Sequence, residues 1–344
     1  MEKLVIASTR PNAGKTSVII GLGKSLGQSF GYLKPFGDRL VYREKHTWDY
    51  DASVITGIFG LKDNPEQTTI GFQHSKLKYV YDQAGIRDKV RELAESAGKG
   101  REILFIEAGR DLCCGASVHL DALSLAGYVN GKIVLVVSGH EDSIMDDIYF
   151  FKSRLELKDA VLAGVLINKV PDMEDFKESH LAHLNELKIK VLGIIPFRKD
   201  LTHYTVQFLA DALVAKVIAG EKGMSNVVKH VFIGAMAADD AVRGPLFKKE
   251  NKAVITGGDR SDMILAALET NAVAVILTNN IYPPSNIISI ASHQNIPLLL
   301  VSADTYSVAR QVDDLEPLVM KDETEKINLL ARLAKAHLKL EEIV

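Results

Sequence analysis

The triplet Gly14-Lys15-Thr16, with Ser17 behind it, follows the apolar run Leu4-Val5-Ile6 in the stretch ASTRPNAGKTSV. A loop that leaves a buried strand and opens a helix can aim backbone N–H groups at a phosphate, and the positive end of the helix dipole adds to the attraction. Lys15 would bring a full charge to the β and γ phosphates, and the Thr16 hydroxyl could ligate magnesium. Thr9 stands where the Walker A pattern GxxxxGK[ST] has its first glycine, and Arg10, Asn12 and Ala13 complete the loop. Arg10 could also reach phosphate; an exposed loop arginine is the competing reading.

Further along stand other groups with chemistry to offer: Lys34 before Pro35, Asp51 in DYDASVI, Glu107 closing ILFIE and Asn168 closing AGVLIN. Magnesium takes hard oxygen ligands, and an acid at the C-terminal end of a parallel strand faces the usual ligand crevice, which suits Glu107. Asp51 reads equally as an acid at a helix N-terminus, with Asp49 a rival ligand two residues away. Asn168-Lys169-Val170-Pro171-Asp172 approximates a guanine-reading Asn-Lys-x-Asp motif, but its aspartate lies one residue too far, which favours ATP over GTP. Cys113 and Cys114 are adjacent, too close for an ordinary structural disulfide, and are expected as small buried thiols in a turn. His180 and His183 could share a helical face around zinc, but no third ligand lies close in sequence, and a polar helix surface is expected.

These groups need elements to hold them. Short apolar, β-branched runs alternate with helical patterns, the mark of a parallel sheet covered by helices. The expected strands are Leu4–Ser8, Phe30–Leu33, Ile103–Ile106, Ile133–Val137, Val161–Ile167 and Val191–Ile195, and the helices Thr16–Leu26, Ser75–Ala97, Asp142–Leu155, Phe176–Leu187 and Tyr204–Ala219. Gly37 to Gln73 shows no readable pattern. The glycines of Gly220–Ser225 suggest a domain boundary, after which the alternation resumes with strands at Val231–Ile233, Ala253–Thr256, Val273–Leu277 and Pro297–Val301. The C-terminal stretch 323–344 has helical spacing and is expected to dock on the body or on another subunit.

Bulk properties exclude some classes of function. The 344 residues exceed one usual core, and 41 basic against 44 acidic residues, without a polybasic tract, give no sign of a nucleic-acid or lipid partner. No apolar run approaches the length of a membrane span, the first residues do not make a signal peptide, and two cysteines suit a reducing compartment, so a cytoplasmic protein is expected.

In order, IASTRPNAGKTSV, GYLKPF, DYDASVI, ILFIEAG and AGVLINKV resemble dethiobiotin synthetase and its cobyrinic acid amide synthase relatives, most of all the dethiobiotin-synthetase-like N-terminal domain of long phosphotransacetylases. The resemblance covers residues 1–222 and implies an α/β P-loop NTPase-like domain of the SIMIBI type. It implies ATP and Mg2+ as ligands, with the metal on Thr16, Asp51 and Glu107. It also implies Lys34 near the transferred phosphoryl and the Asn168 amide on the adenine edge. These synthetases also carry threonine at the Thr9 position, and a glycine where Ser8 stands. After Glu107 the chain departs from their glycine-rich pocket stretch with EAGRDLCCGASVHLDAL, so the dethiobiotin reaction itself is not implied.

TGGDRSD, from Thr256 to Asp262, resembles the DRTGG domain, a smaller α/β module expected over 225–335. Gly257 and Gly258 would allow a tight turn, Asp259 would cap the next helix and Arg260 would present an anion-binding head, making Gly258, Asp259 and Arg260 a possible effector site. Asp304-Thr305 is expected on the same edge. The acetyltransferase domain of long phosphotransacetylases would need further residues, so acetyl transfer is not expected of this sequence. The leading expectation is a magnesium-dependent ATP-binding protein, forming a dimer, that binds or slowly hydrolyses nucleotide and senses a small-molecule effector through its second domain. The alternatives are an ATP-dependent ligase acting on an unknown carboxylate or amine acceptor, and an interaction protein with an inactive loop.

Overall fold

Apolar side chains at every position, rather than at alternate ones, make a strand that must be covered on both faces, and the six such runs of the first 200 residues do form one sheet. A computed structural model of the chain describes residues 1–43, 46–61, 65–157 and 160–344. It divides into two units, Met1–Arg198 with Val319–Val344, and Lys199–Leu318.

The first unit runs β1 (Glu2–Ser8), α1 (Lys15–Ser25), β2 (Phe30–Leu33), β3 (Leu40–Arg43), β4 (His46–Asp49), α2 (Tyr50–Phe59), α3 (His74–Val80), α4 (Gln83–Gly98) and β5 (Ile103–Glu107). It continues α5 (Ala122–Val129), β6 (Lys132–Val137), α6 (Glu141–Arg154), β7 (Val161–Val170), α7 (Met173–Glu186) and β8 (Val191–Pro196). The parallel sheet has the order β2-β5-β1-β6-β7-β8, so after β5 the chain crosses β1 to reach β6, and loops at the C-terminal edge flank a crevice there. Register pairs Ile6 with Glu107 and Leu33 with Ile106, which brings the loop after Ser8, the end of β5 and Lys34 to one edge.

Two expectations for this unit are corrected. The single helix Ser75–Ala97 is two, because Tyr81 is extended and the Asp82 side chain accepts from Gly85 N at 2.8 Å, starting α4 afresh. The unreadable segment contains the β3–β4 hairpin and α2, whose N-cap is Asp49. The helix α5, which periodicity did not show, is started by Asp121.

The second unit contains β9 (Tyr204–Thr205), α8 (Val206–Ala212), β10 (Lys216–Ala219), β11 (Val227–Val228), β12 (His230–Ile233), α9 (Ala238–Arg243) and β13 (Lys252–Gly257). It ends with α10 (Ser261–Glu269), β14 (Ala272–Thr278), α11 (Ser285–Gln294), β15 (Leu298–Leu300) and α12 (Thr305–Asp313). Its sheet has the order β10-β15-β14-β13-β12, parallel except for β10. Tyr204–Ala219 is therefore not one helix: Val214, at φ 50, ends it, and Lys216 and Val217 pair with Leu300 and Leu299. For the same reason the glycine break at 220–225 is a turn inside this unit, and the chain changes unit at Arg198 and Leu318 instead.

The chain then returns to the first unit as α13 (Thr324–His337), which packs along α1, the helix that opens at the phosphate loop. The close approach depends on Gly21, where a Cβ would lie 3.0 Å from Leu330 O and 3.1 Å from Ala334 Cβ. Gly21→Val is expected to cost about 1–3 kcal/mol through overpacking, read as a lowered urea midpoint. No helix of the described residues is long and apolar enough to cross a membrane.

Candidate functional site

Gly14 makes the loop possible: its φ of 93° is left-handed, and a Cβ there would lie 2.4 Å from Asn168 Nδ2. The Asn168 amide donates to Ala13 O at 2.8 Å while its Oδ1 accepts from Lys169 N at 3.0 Å, and Lys169 Nζ donates to Asn12 O at 2.6 Å. The amide nitrogen of Asn168 thus braces the loop, while its Oδ1 is held by the backbone of its own neighbour. The structure brings Asn168 to the loop backbone.

Lys15, at the start of α1, is buried, and its ammonium donates to Ser8 Oγ at 3.0 Å and to Arg110 O at 3.1 Å. Burial lowers it from the ordinary lysine value, Glu107 opposes the shift and Lys34 adds to it. Ser8 Oγ also reaches Arg10 O and Arg110 O, so the residue in the glycine position ties the loop to the stretch after β5. Arg10 is turned aside by a two-bond pairing with Asp147, at 2.7 and 3.0 Å. Thr9 Oγ1 is buried with no hydrogen-bond partner, and Ser17 lies half-buried in the first turn of α1.

Thr16 Oγ1 donates to Glu107 Oε1 at 2.8 Å, and the Tyr32 hydroxyl donates to Glu107 Oε2 at 2.9 Å. Burial pushes the Glu107 carboxyl up to about 7, with Asp51 adding to the rise and Lys34, Lys15 and the Thr16 hydrogen bond opposing it. The hard oxygens of Thr16 and Glu107 are a donor set that suits magnesium beside a phosphate. Asp51, the third expected ligand, is committed differently: it accepts from Lys34 and, at 3.2 Å, from Arg39.

Lys34 is 1 % exposed and surrounded by acids. Besides Asp51 its ammonium meets Asp38 at 2.6 Å and Asp49 at 3.3 Å, and the ligand oxygens of these three carboxylates lie within 4.8 Å of one another. The cation at the centre of this cluster is the chain's own lysine. Burial works to lower Lys34, but Asp51, Glu107, Asp49 and Asp38 together raise it well above its ordinary value. Asp49 accepts from the backbone N–H groups of Asp51, Ala52, Asp38 and Arg39, which makes it the bracket of this turn. Sequence reasoning passed over Tyr32, Asp38, Arg39 and the Arg110 carbonyl. Strand alternation would have put Tyr32 on the face of Lys34, two residues on; the Arg110 carbonyl left no mark in the sequence.

The remaining candidates stay apart from this edge. His180 lies against Phe176 and meets Glu141 at 3.4 Å, and among the described residues no zinc-like cluster forms. Cys113 is exposed, not buried, and neither cysteine is in a disulfide. In the second unit Asp259 does not cap α10, whose N-cap position falls on Arg260. The Arg260 guanidinium is occupied by Asp262, at 3.1 and 3.0 Å, and by Met236 O at 2.9 Å. Asp304 caps α12, and Thr305 meets Thr278 at the end of β14, one strand from Gly257 and Gly258.

Residues 2–205 match the family model described as an AAA domain, and residues 208–315 match the DRTGG domain. The chain belongs to this AAA domain family. The AAA domain here is of the dethiobiotin-synthetase-like P-loop kind, and with the DRTGG domain it is homologous to the N-terminal half of phosphate acetyltransferases. The phosphate acetyltransferase of Pseudomonas putida is 24% identical over 371 residues, covering 98% of this chain and 51% of its own length. That of Synechocystis sp. is 24% identical over 346 residues, covering 94% and 48%. The chain spans about half the length of the curated relatives it matches. Among solved structures, cobyrinic acid a,c-diamide synthase from Mycobacterium smegmatis with bound ATP analog and magnesium is similar, with 14% identity, a TM-score of 0.37, and coverage of 58% of this chain and 88% of that chain.

Proposed function

We propose that the first unit binds a magnesium nucleoside triphosphate, with ATP the nucleotide, and that the DRTGG unit makes the protein a sensor responding to a small-molecule effector. The observation that carries the reading is the convergence, at one sheet edge, of Lys15, Thr16 and Glu107 around a loop whose backbone is held open by Gly14. Lys15 and the N–H groups that open α1 hold phosphate, Thr16 and Glu107 hold the metal, and bound magnesium supplies the charge that neutralises the phosphates. Tyr32, kept protonated by burial and by Glu107, fixes the carboxylate's second oxygen. Phosphate binding requires the Lys15 ammonium to leave Ser8 and Arg110, which couples the loop to the stretch after β5.

Isothermal titration of the full chain with ATP, with and without Mg2+ and against GTP, tests this. Saturable binding that strengthens with Mg2+ and is weaker for GTP is expected; absence of binding by either nucleotide overturns it.

A further inference from the structure

On the sheet face that carries α4, α5 and α6, a groove of about 920 Å³ runs past Thr9 of the phosphate loop. It exists because α5 has 8 residues against 16 in α4 and 14 in α6. Gly127 of α5 lines it, and nothing lies within 4 Å of where a Cβ would stand.

The groove's hydrogen-bond donors for an anion come from two arginines, set among acids that are engaged elsewhere. Asp111 accepts from the backbone of Cys113 and Cys114, Asp121 caps α5 and Asp147 holds Arg10, so three of its acids are spent on the fold, and Glu156 is exposed to solvent. Arg87 and Arg91 stand one turn apart on α4. Each commits only its Nε, to Asp88 at 3.1 Å and to Tyr128 O at 2.9 Å, leaving the terminal N–H groups without partners among the described residues. Two hydroxyls of the same groove, Thr9 Oγ1 and Tyr128 OH, are buried and unpaired. Leu112, Phe150 and Leu155 give the groove an apolar wall, and its volume is that of a small-molecule site.

We propose that this groove is a second ligand site, taking a small organic anion with an apolar body. Arg87 and Arg91 hold the acidic head, the body lies along Phe150 and Leu155, and Thr9 sets the ligand against the phosphate loop. This goes beyond the nucleotide reading and does not depend on it.

Calorimetric titration of the full chain with hexanoate, octanoate, hexyl phosphate, octyl phosphate and octylamine tests the site, with ATP titrated into the same samples to read the phosphate loop separately. At least one anion series is expected to bind saturably, tightening up to about fourfold per added methylene while the chain fits, and the tighter series identifies the head group. Octylamine is expected to bind at least about tenfold more weakly. Gly127→Trp fills open space on a helix and Arg91→Gln removes a head contact; each is expected to weaken the anion at least about tenfold and to leave ATP binding as it was. Arg87→Gln, on a half-exposed side chain, repeats the test where either of those variants does not fold. Absence of saturable binding by both anion series, an amine that binds as well, or folded variants within about twofold of the native chain would overturn the proposal.

Discussion

Lys34→Ala is expected to lower the stability of the first unit by about 3–5 kcal/mol, because it removes the central cation from a buried cluster of carboxylates and leaves only the peripheral Arg39, on Asp51, to compensate them. Asp49 and Asp51 are 0% and 3% exposed and cannot recover their hydration without opening the turn that they bracket. Lys34→Met keeps most of the volume and separates charge from packing: it is expected to lose nearly as much, since the penalty belongs to the charge. The pH dependence follows from the direction of the Lys34 shift. Its folded value is raised, so its contribution is complete below the unfolded value and fades only as pH climbs through the folded one. Both lie above the neutral range, so Lys34's own titration adds nothing between about pH 6 and about pH 9. But Lys34 also holds Glu107 down, and without it Glu107 is pushed above its value of about 7, so the deficit measured by urea unfolding is expected to be larger at about pH 9, where Glu107 must ionise, than at about pH 6. A loss under about 1 kcal/mol would mean that the cluster is hydrated in solution.

Lys15→Ala is expected to do the opposite, sparing stability and removing function. Burial already lowers Lys15, and in place of a carboxylate pairing it has one hydroxyl and one carbonyl, so trading it for alanine gives back about as much desolvation as it loses in hydrogen bonds. Its stability change is expected within about 1 kcal/mol. Its nucleotide affinity, by contrast, is expected to fall at least about 100-fold, the worth of about 3 kcal/mol of charge-assisted bonding to phosphate. Calorimetric titration with ATP and Mg2+, alongside urea unfolding of the same variant, checks both halves. The two lysines, both buried, thus separate by what surrounds them.

How far the sequence showed this depended on the range of each contact. The strands were readable because burial on both faces leaves every position apolar, and Gly14-Lys15-Thr16 was readable because a phosphate loop is local. Asp121 and Asp82 start helices by local caps, yet the helical period does not reveal a helix as short as α5. The site's wiring is of the opposite kind: Ser8 meets Arg110 across 102 positions, Glu107 meets Tyr32 across 75 and Thr16 across 91. Lys34 offered a nearer clue, since Asp38 follows it by four residues, but only folding adds Asp49 and Asp51. The return of α13 to α1 was foreseen only as one of two choices. What decided it is Gly21, whose bare Cα lets α13 lie against the helix of the phosphate loop.

The most direct test of nucleotide binding at this edge is a crystal structure of the full chain grown with Mg2+ and a non-hydrolysable ATP analogue. The account predicts phosphate density against the backbone of Asn12 to Thr16, Lys15 moved from Ser8 and Arg110 onto the phosphates, and the metal on Thr16 Oγ1 beside Glu107. Nucleotide bound elsewhere, or an empty loop with Lys15 still on Ser8 and Arg110, would contradict it.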